Sequence, residues 1–161
     1  PEVKLFYNDY NTFNPFKRNA IMELIVNPLM EEKLIDGIGM QSHLVLNDFD
    51  TCLPEYEKTL ETFGATGLEI HSTELDIHNA DPSEEGMHKL AEAYKALFSL
   101  YLKAKKEGKA NLTSVTFWGM KDDVSWLTGF RKERSYPMLF GDKWEEKEAY
   151  RTVVAVAEEA N

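Results

Sequence analysis

Leu68-Glu69-Ile70-His71-Ser72-Thr73-Glu74-Leu75-Asp76-Ile77 reads as a strand whose far end carries polar groups. Asp81-Pro82-Ser83-Glu84 follows and predicts a helix start: an aspartate cap, proline at the first position and glutamate three after the cap. Leu90, Tyr94, Leu97, Phe98 and Tyr101 then recur at helical spacing, and Gly108 supplies a stop. Leu112 to Trp118 reads as another strand. A long helix between two strands is a crossover, and crossovers join parallel strands.

The same alternation extends outward. Val3 to Tyr7 predicts a strand that runs into Asn8-Asp9, and Phe16 to Val26 a helix with Ala20, Ile21, Leu24 and Ile25 on one face. Asn27-Pro28 is expected to interrupt that helix, because proline disfavours helical geometry in the residue before it. Ile35 to Met40 is a further strand, and Tyr56, Leu60 and Phe63 mark a helix face ahead of Gly64. A long loop is expected to about Glu145, then a helix from Ala149 to Glu158. The order is βαβαβαβα, an α/β chain with no repeat. Four βα units suit a small open sheet or half of an eight-unit barrel. A complete barrel takes ~250 residues, and the chain has 161, read as one domain over 1–161.

Composition narrows the function. The chain holds 18 Lys and Arg against 28 Asp and Glu, a net charge of −10, which repels phosphate backbones and argues against nucleic-acid binding. No apolar run approaches the ~20 residues of a membrane span. One cysteine, Cys52, cannot make an internal disulfide. The opening Pro1-Glu2-Val3-Lys4 reads as neither a signal nor a transit peptide and lacks an initiator Met, so a processed or excised chain is expected.

Polar residues gather where the four strands end: Asn8-Asp9-Tyr10-Asn11, Gln41-Ser42-His43, Thr73-Glu74-Leu75-Asp76, and Trp118 with Lys121, Asp122, Asp123 and Trp126 beyond it. In parallel α/β folds that edge holds the active site. Singly, each has a plainer reading: His43 as a hydrogen-bonded structural residue, Glu74 and Asp76 as solvated acids, Trp118 as core. His71 has the opposite strand parity to Glu74 and is expected to face the helices, with His78 and His88 at the surface. No histidine spacing fits a zinc motif, and neither a calcium loop, a phosphate-binding glycine loop nor a nucleophile elbow is present.

Together the strings are more specific. Leu5-Phe6-Tyr7-Asn8-Asp9-Tyr10-Asn11, Ile35 to Leu44, Thr73-Glu74-Leu75-Asp76-Ile77, Val115-Thr116-Phe117-Trp118-Gly119 with Ser125-Trp126-Leu127, and the closing Pro137-Met138-Leu139-Phe140 and Lys147-Glu148-Ala149-Tyr150 resemble the family 10 glycoside hydrolases, the β-1,4-xylanases. The resemblance implies the C-terminal half, strands five to eight, of a (β/α)8 TIM barrel and a retaining mechanism with two glutamates. It implies Glu74 as nucleophile, His43 as its hydrogen-bond partner and Asp76 as the support of that histidine. A nucleophilic carboxylate must be ionised, and hydrogen bonds to the charged form favour it. Trp118 and Trp126 match sugar-stacking walls, and Gln41, Asn8 and Tyr10 match polar positions lining the cleft. No metal and no organic cofactor is implied. The partners implied are xylan or xylo-oligosaccharides and the N-terminal half of the barrel, with secretion inferred from a polymeric substrate. The family's acid/base glutamate, in a Trp-Asp-Val-Val-Asn-Glu type motif, has no match here, so the chain alone is expected to be inactive. Asp9, Asp122 and Asp123 are the acids that could stand in. The competing expectation is a noncatalytic carbohydrate-binding half-barrel. Ser72 departs from the family's usual aliphatic residue and requires a hydrogen-bond partner if it points into the barrel.

Overall fold

The computed structural model describes residues 3–159; residues 1, 2, 160 and 161, included in the expected 1–161 domain, lie outside. The elements are β1 (Phe6–Asp9), α1 (Pro15–Ile21), a π turn (Met22–Val26), α2 (Asn27–Glu31), β2 (Gly37–Met40), β3 (His43–Val45), α3 (Phe49–Gly64), β4 (Glu69–His78), α4 (Glu84–Lys106), β5 (Asn111–Phe117), α5 (Trp126–Arg131) and α6 (Glu148–Glu159). All strand pairs are parallel: β1 with β2, β2 and β3 with β4, and β4 with β5. The main strands therefore lie side by side in chain order without reversal. A doubly wound sheet reverses at a switch point; an arc of a barrel does not. β3 continues the line of β2 after a break at Gln41-Ser42.

One face of the sheet carries the core. Ile38, Met40, Ile70, Leu75 and Ile77 pack fully buried against Tyr56, Leu60 and Phe63 of α3 and Leu90, Tyr94 and Leu97 of α4. Each such side chain contributes roughly 1.5–3 kcal/mol on burial. Ser72 belongs to this helix-facing side rather than the barrel interior. It donates to Ser42 Oγ at 2.9 Å and accepts from the Tyr101 hydroxyl at 3.1 Å. The Ser42 hydroxyl in turn lies 2.6 Å from the Tyr56 hydroxyl and donates to the Met40 carbonyl at 2.9 Å. This network holds Ser42 at φ 63°, the left-handed conformation that bends the chain between β2 and β3. Ser72→Ala is expected to cost about 1–3 kcal/mol, the range for disrupting buried hydrogen bonds, measured as a fall in the urea midpoint.

A bulge sets the other face. From Ser72 to Leu75 β4 advances three residues while β5 advances two, from Val115 to Phe117. The extra residue reverses the alternation of side chains. Before it, Glu69, His71 and Thr73 point away from the helices; after it, Glu74 and Asp76 do. His71 accordingly lies against the Phe6 ring, centroids 4.2 Å apart, on the face opposite the helices, and the parity argument fails because it counts through the bulge. Gly37 and Gly39 make room on this same face. A Cβ on Gly37 would sit 2.1 Å from the Phe6 ring, and one on Gly39 2.4 Å from Asn8 Oδ1.

Other local expectations are corrected. The first helix runs through Asn27-Pro28 to Glu31, because the π turn passes the Asn27 N–H to the Met22 carbonyl and lets Pro28 occupy the first turn of α2, where its missing N–H costs little. The cap of α4 is Ser83, whose hydroxyl accepts from the Gly86 N–H at 3.1 Å; Asp81 instead accepts from the Ser83 N–H. His78 is 7% exposed, not superficial: Nδ1 lies 2.9 Å from the hydroxyl of buried Ser135 and Nε2 3.2 Å from Glu133. His88 is exposed, as expected.

Candidate active site

The site lies where β1, the β2–β3 break and β4 reach their C-terminal ends. His43 and Asp76 are cross-strand neighbours in the β3–β4 ladder, so their side chains emerge on the same face. His43 Nδ1 sits 2.9 Å from Asp76 Oδ1, and its Nε2 3.3 Å from Glu74 Oε2. Glu74 Oε1 accepts from Asn8 Nδ2 at 3.1 Å, and Asn8 Oδ1 accepts from the Thr73 hydroxyl at 2.7 Å. Both oxygens of Glu74 are thus held, one from β1 and one from β3. The bulge turns Glu74 to this face, and the bare Cα of Gly39 gives Asn8 its path to it.

Asp76 is completely buried and its second oxygen accepts the indole N–H of Trp126 at 2.9 Å. The Trp126 and His43 rings meet edge to face, centroids 4.9 Å apart. Burial by itself pushes the His43 imidazole down, but its bond to Asp76 and the charges of Asp76 and Glu74 outweigh that and raise it above the ordinary 6.5. With both ring nitrogens facing carboxylate oxygens, the protonated ring donates to each. The linkage has a definite sign. A raised folded value stabilises the fold fully below the unfolded value of about 6.5, and that contribution is lost as pH climbs through the folded value. His43→Asn is therefore expected to destabilise the protein more near about pH 6 than near about pH 9, read from denaturant midpoints at the two pH values.

Glu74 opens into a cleft of about 470 Å³ lined also by Tyr10, Gln41, Trp118, Trp126, Phe130 and Arg131. Trp118 and Trp126 are 46% and 38% exposed, flat rings half open to solvent. Tyr10 is exposed with Lys17 Nζ 3.5 Å from its ring centre. Among the described residues lining the cleft, Glu74 is the single acid. The substitutes are engaged elsewhere. Asp9 takes Lys17 at 2.7 Å and the Tyr7 hydroxyl at 2.5 Å; burial opposes its ionisation, yet these bonds hold its carboxyl below the usual range, while burial and Asp9 push the Tyr7 phenol up to about 12. Asp122 is buried, its carboxyl raised by desolvation. It accepts the Met138 N–H at 2.8 Å and Lys147 Nζ at 2.9 Å. Asp123 pairs with Lys121. The Asp122–Lys147 pair joins the two ends of the segment after β5, which contains α5 where a plain loop is expected. Ser125 caps α5, its hydroxyl accepting the Leu127 N–H at 3.3 Å, and this presents Trp126 to Asp76.

Sequence reasoning missed three participants: the Trp126–Asp76 bond, and Phe130 and Arg131 in the cleft wall. Their position at the end of a short helix opening on Ser125-Trp126 is the signal that was available. Among the described residues no cluster of His, Cys, Asp and Glu could hold a metal.

Fold and site define a parallel α/β half-barrel with its polar cluster at the C-terminal strand edge. The model of glycosyl hydrolase family 10 matches residues 1–156, and the chain belongs to that family, whose fold is the (β/α)8 barrel. The chain is 59% identical over 157 residues to endo-1,4-beta-xylanase B of Butyrivibrio fibrisolvens, covering 98% of this chain and 24% of that one. It superposes on the GH10 xylanase of Thermobacillus composti with a TM-score of 0.85 at 40% identity, covering 97% of this chain and 53% of that chain. It also matches the CBM22-1–GH10 modules of a Clostridium thermocellum xylanase complexed with xylohexaose, TM-score 0.81 at 32% identity, over 94% of this chain and 29% of that chain. The chain thus spans between about a quarter and about half the length of these relatives.

Proposed function

We propose that this chain supplies the nucleophile side of a retaining β-1,4-xylanase. The observation that supports it is Glu74, fixed through both oxygens by Asn8 and His43 and opening between two half-exposed tryptophans. In this reading Glu74 attacks the anomeric carbon of a xylosyl unit and forms a glycosyl ester as the bond to the leaving sugar breaks. A second carboxyl, about 5–5.5 Å from Glu74, protonates the departing oxygen, then takes a proton from the water that cleaves the ester. His43 and Asp76 position Glu74. Trp118 and Trp126 stack on sugar faces, and Gln41 and Tyr10 line the path. Because Glu74 is the single acid among the described residues lining the cleft, this reading takes the second carboxyl from another part of the barrel. β1 pairs on one side only and so does β5, which leaves both edges for the first four βα units. No described helix is long and apolar enough to cross a membrane. Xylan is too large to enter cells, which favours action outside them.

The test is the stereochemistry of the first product, followed by NMR in a barrel completed with the first four βα units. The β-anomer is expected. Binding without cleavage would support the noncatalytic carbohydrate-binding reading instead. In the same protein Trp118→Ala should weaken xylo-oligosaccharide binding by about 1 kcal/mol, the scale of a stacking contact. Trp126→Ala should weaken it and lower turnover as well, because Asp76 loses a donor. Unchanged affinity in both variants would make the rings structural.

A further inference from the structure

His78 is buried yet takes no part in the network around Glu74. It ends β4 two residues after Asp76, beyond the bulge, so its side chain leaves the strand on the same face as Glu74 and Asp76. There both ring nitrogens meet the segment that follows α5. Nδ1 lies 2.9 Å from the hydroxyl of Ser135, which is fully buried, and Nε2 3.2 Å from Glu133. A ring with its proton on Nε2 satisfies both, donating to the carboxylate and accepting from the hydroxyl. Beside it the Tyr136 N–H donates to the Asn79 carbonyl at 2.8 Å. The Ser135 N–H donates to Thr128 Oγ1 at 3.2 Å, which ties this segment back to α5 itself. At the other end of α5 the Trp126 indole donates to Asp76. The six residues of α5 are too few to hold a helix in water by themselves. Two anchors on one strand, Asp76 at its first residue and His78 just past its last, therefore set where α5 lies.

We propose that His78 is a positioning residue for the sugar platform: by clipping Ser135 and Glu133 to the end of β4 it fixes the pose of α5 and, with it, of the Trp126 ring. The inference rests on the carbohydrate reading above and deepens it. Asp76 and His43 grip Trp126 at one end of α5 only. A second grip beyond the other end stops the short helix from pivoting about the first, and a stacking face contributes only while it is held in line with the sugar. Ser135 carries most of the clip. It is buried, whereas the Glu133 side chain is 55% exposed and its pairing is screened. Glu74 keeps its own bonds to Asn8 and His43, so the clip acts on binding more than on the attack itself.

The experiment uses the completed barrel. It reads xylotetraose hydrolysis together with the NMR signal of the Trp126 indole N–H, assigned by its absence in Trp126→Phe. His78→Ala is expected to raise KM roughly three- to tenfold, the range that one ordinary hydrogen bond spans, and to lower kcat by less than about twofold, the pattern of lost uniform binding. The indole signal should move or broaden. Ser135→Ala, which opens the clip from its other side and leaves His78 in place, should reproduce both effects if His78→Ala folds poorly. His78→Asn puts an amide where Nδ1 was, keeps a partner for Ser135, and should recover most of the loss. In a Trp126→Ala background His78→Ala should raise KM no further, because both act through the same ring. Additive effects, or an indole signal and KM unchanged in both His78→Ala and Ser135→Ala, overturn the proposal. If the parent barrel neither binds nor cleaves xylotetraose while the indole signal still moves in these variants, the xylan reading fails and the positioning of Trp126 by His78 stands. If the signal does not move either, both fail.

Discussion

Glu74→Ala in the completed barrel will lose xylan hydrolysis by roughly 10⁴-fold or more, the scale seen when a covalent nucleophile is deleted, while xylo-oligosaccharide affinity is largely kept. In the proposed mechanism the Glu74 oxygens are the reacting atoms, and among the described residues lining the cleft there is no second acid to replace them. Azide added with an activated aryl xyloside will occupy the vacated space, attack the anomeric carbon and expel the aryl group. One displacement replaces two, so the product carries inverted configuration. His43→Asn will cost less, since it removes a donor to Glu74 and not the attacking atom. Asp76→Asn will act through His43, and a double-mutant cycle will show the two effects to be non-additive. Near-normal activity in Glu74→Ala would remove the nucleophile assignment.

Residues 1–161 expressed by themselves will self-associate and leave xylan intact. β1 and β5 each offer an open ladder of N–H and C=O groups, and open edges drive association. The Phe6 ring lies on the face away from the helices, and the side chains of Trp144, Met120 and Phe130 are exposed. Apolar surface of this kind calls for a cover. A chain carrying the first four βα units, with an acid/base glutamate, will bind to give a soluble one-to-one complex and xylanase activity. Sizing by light scattering and an assay for reducing sugar decide the matter. A monodisperse monomer that degrades xylan unaided would falsify the half-barrel dependence.

The fold was legible where periodicity was undisturbed. The apolar spacings of Tyr56, Leu60 and Phe63 and of Leu90, Tyr94 and Leu97 are the buried faces of α3 and α4. Strand ends were legible through their polar clusters, and these do meet: Asn8, His43, Glu74 and Asp76 form one connected network. What was illegible is what depends on tertiary register. The facing of His71 required knowledge of an extra residue against β5, which no local rule reveals. Asn27-Pro28 looked like a break because the rule for proline assumes the α ladder, whereas a π turn supplies another. Trp126 showed its aromatic face in the sequence but not its N–H bond to Asp76, because the two residues are 50 positions apart.

The bulge of β4 also makes the site a matter of counting. Most single substitutions around Thr73 change one side chain. An in-frame loss of Thr73 would remove the extra residue and restore plain alternation without exchanging inside for outside along the rest of the strand. Glu74 and Asp76 would still point away from the helices and Leu75 and Ile77 toward them, whereas a codon lost from the strand outside Thr73-Glu74 would exchange the two faces on one side of the loss. A library of coding changes across this strand should therefore tolerate many replacements, and among single deletions the loss of Thr73 should be the one the fold bears best.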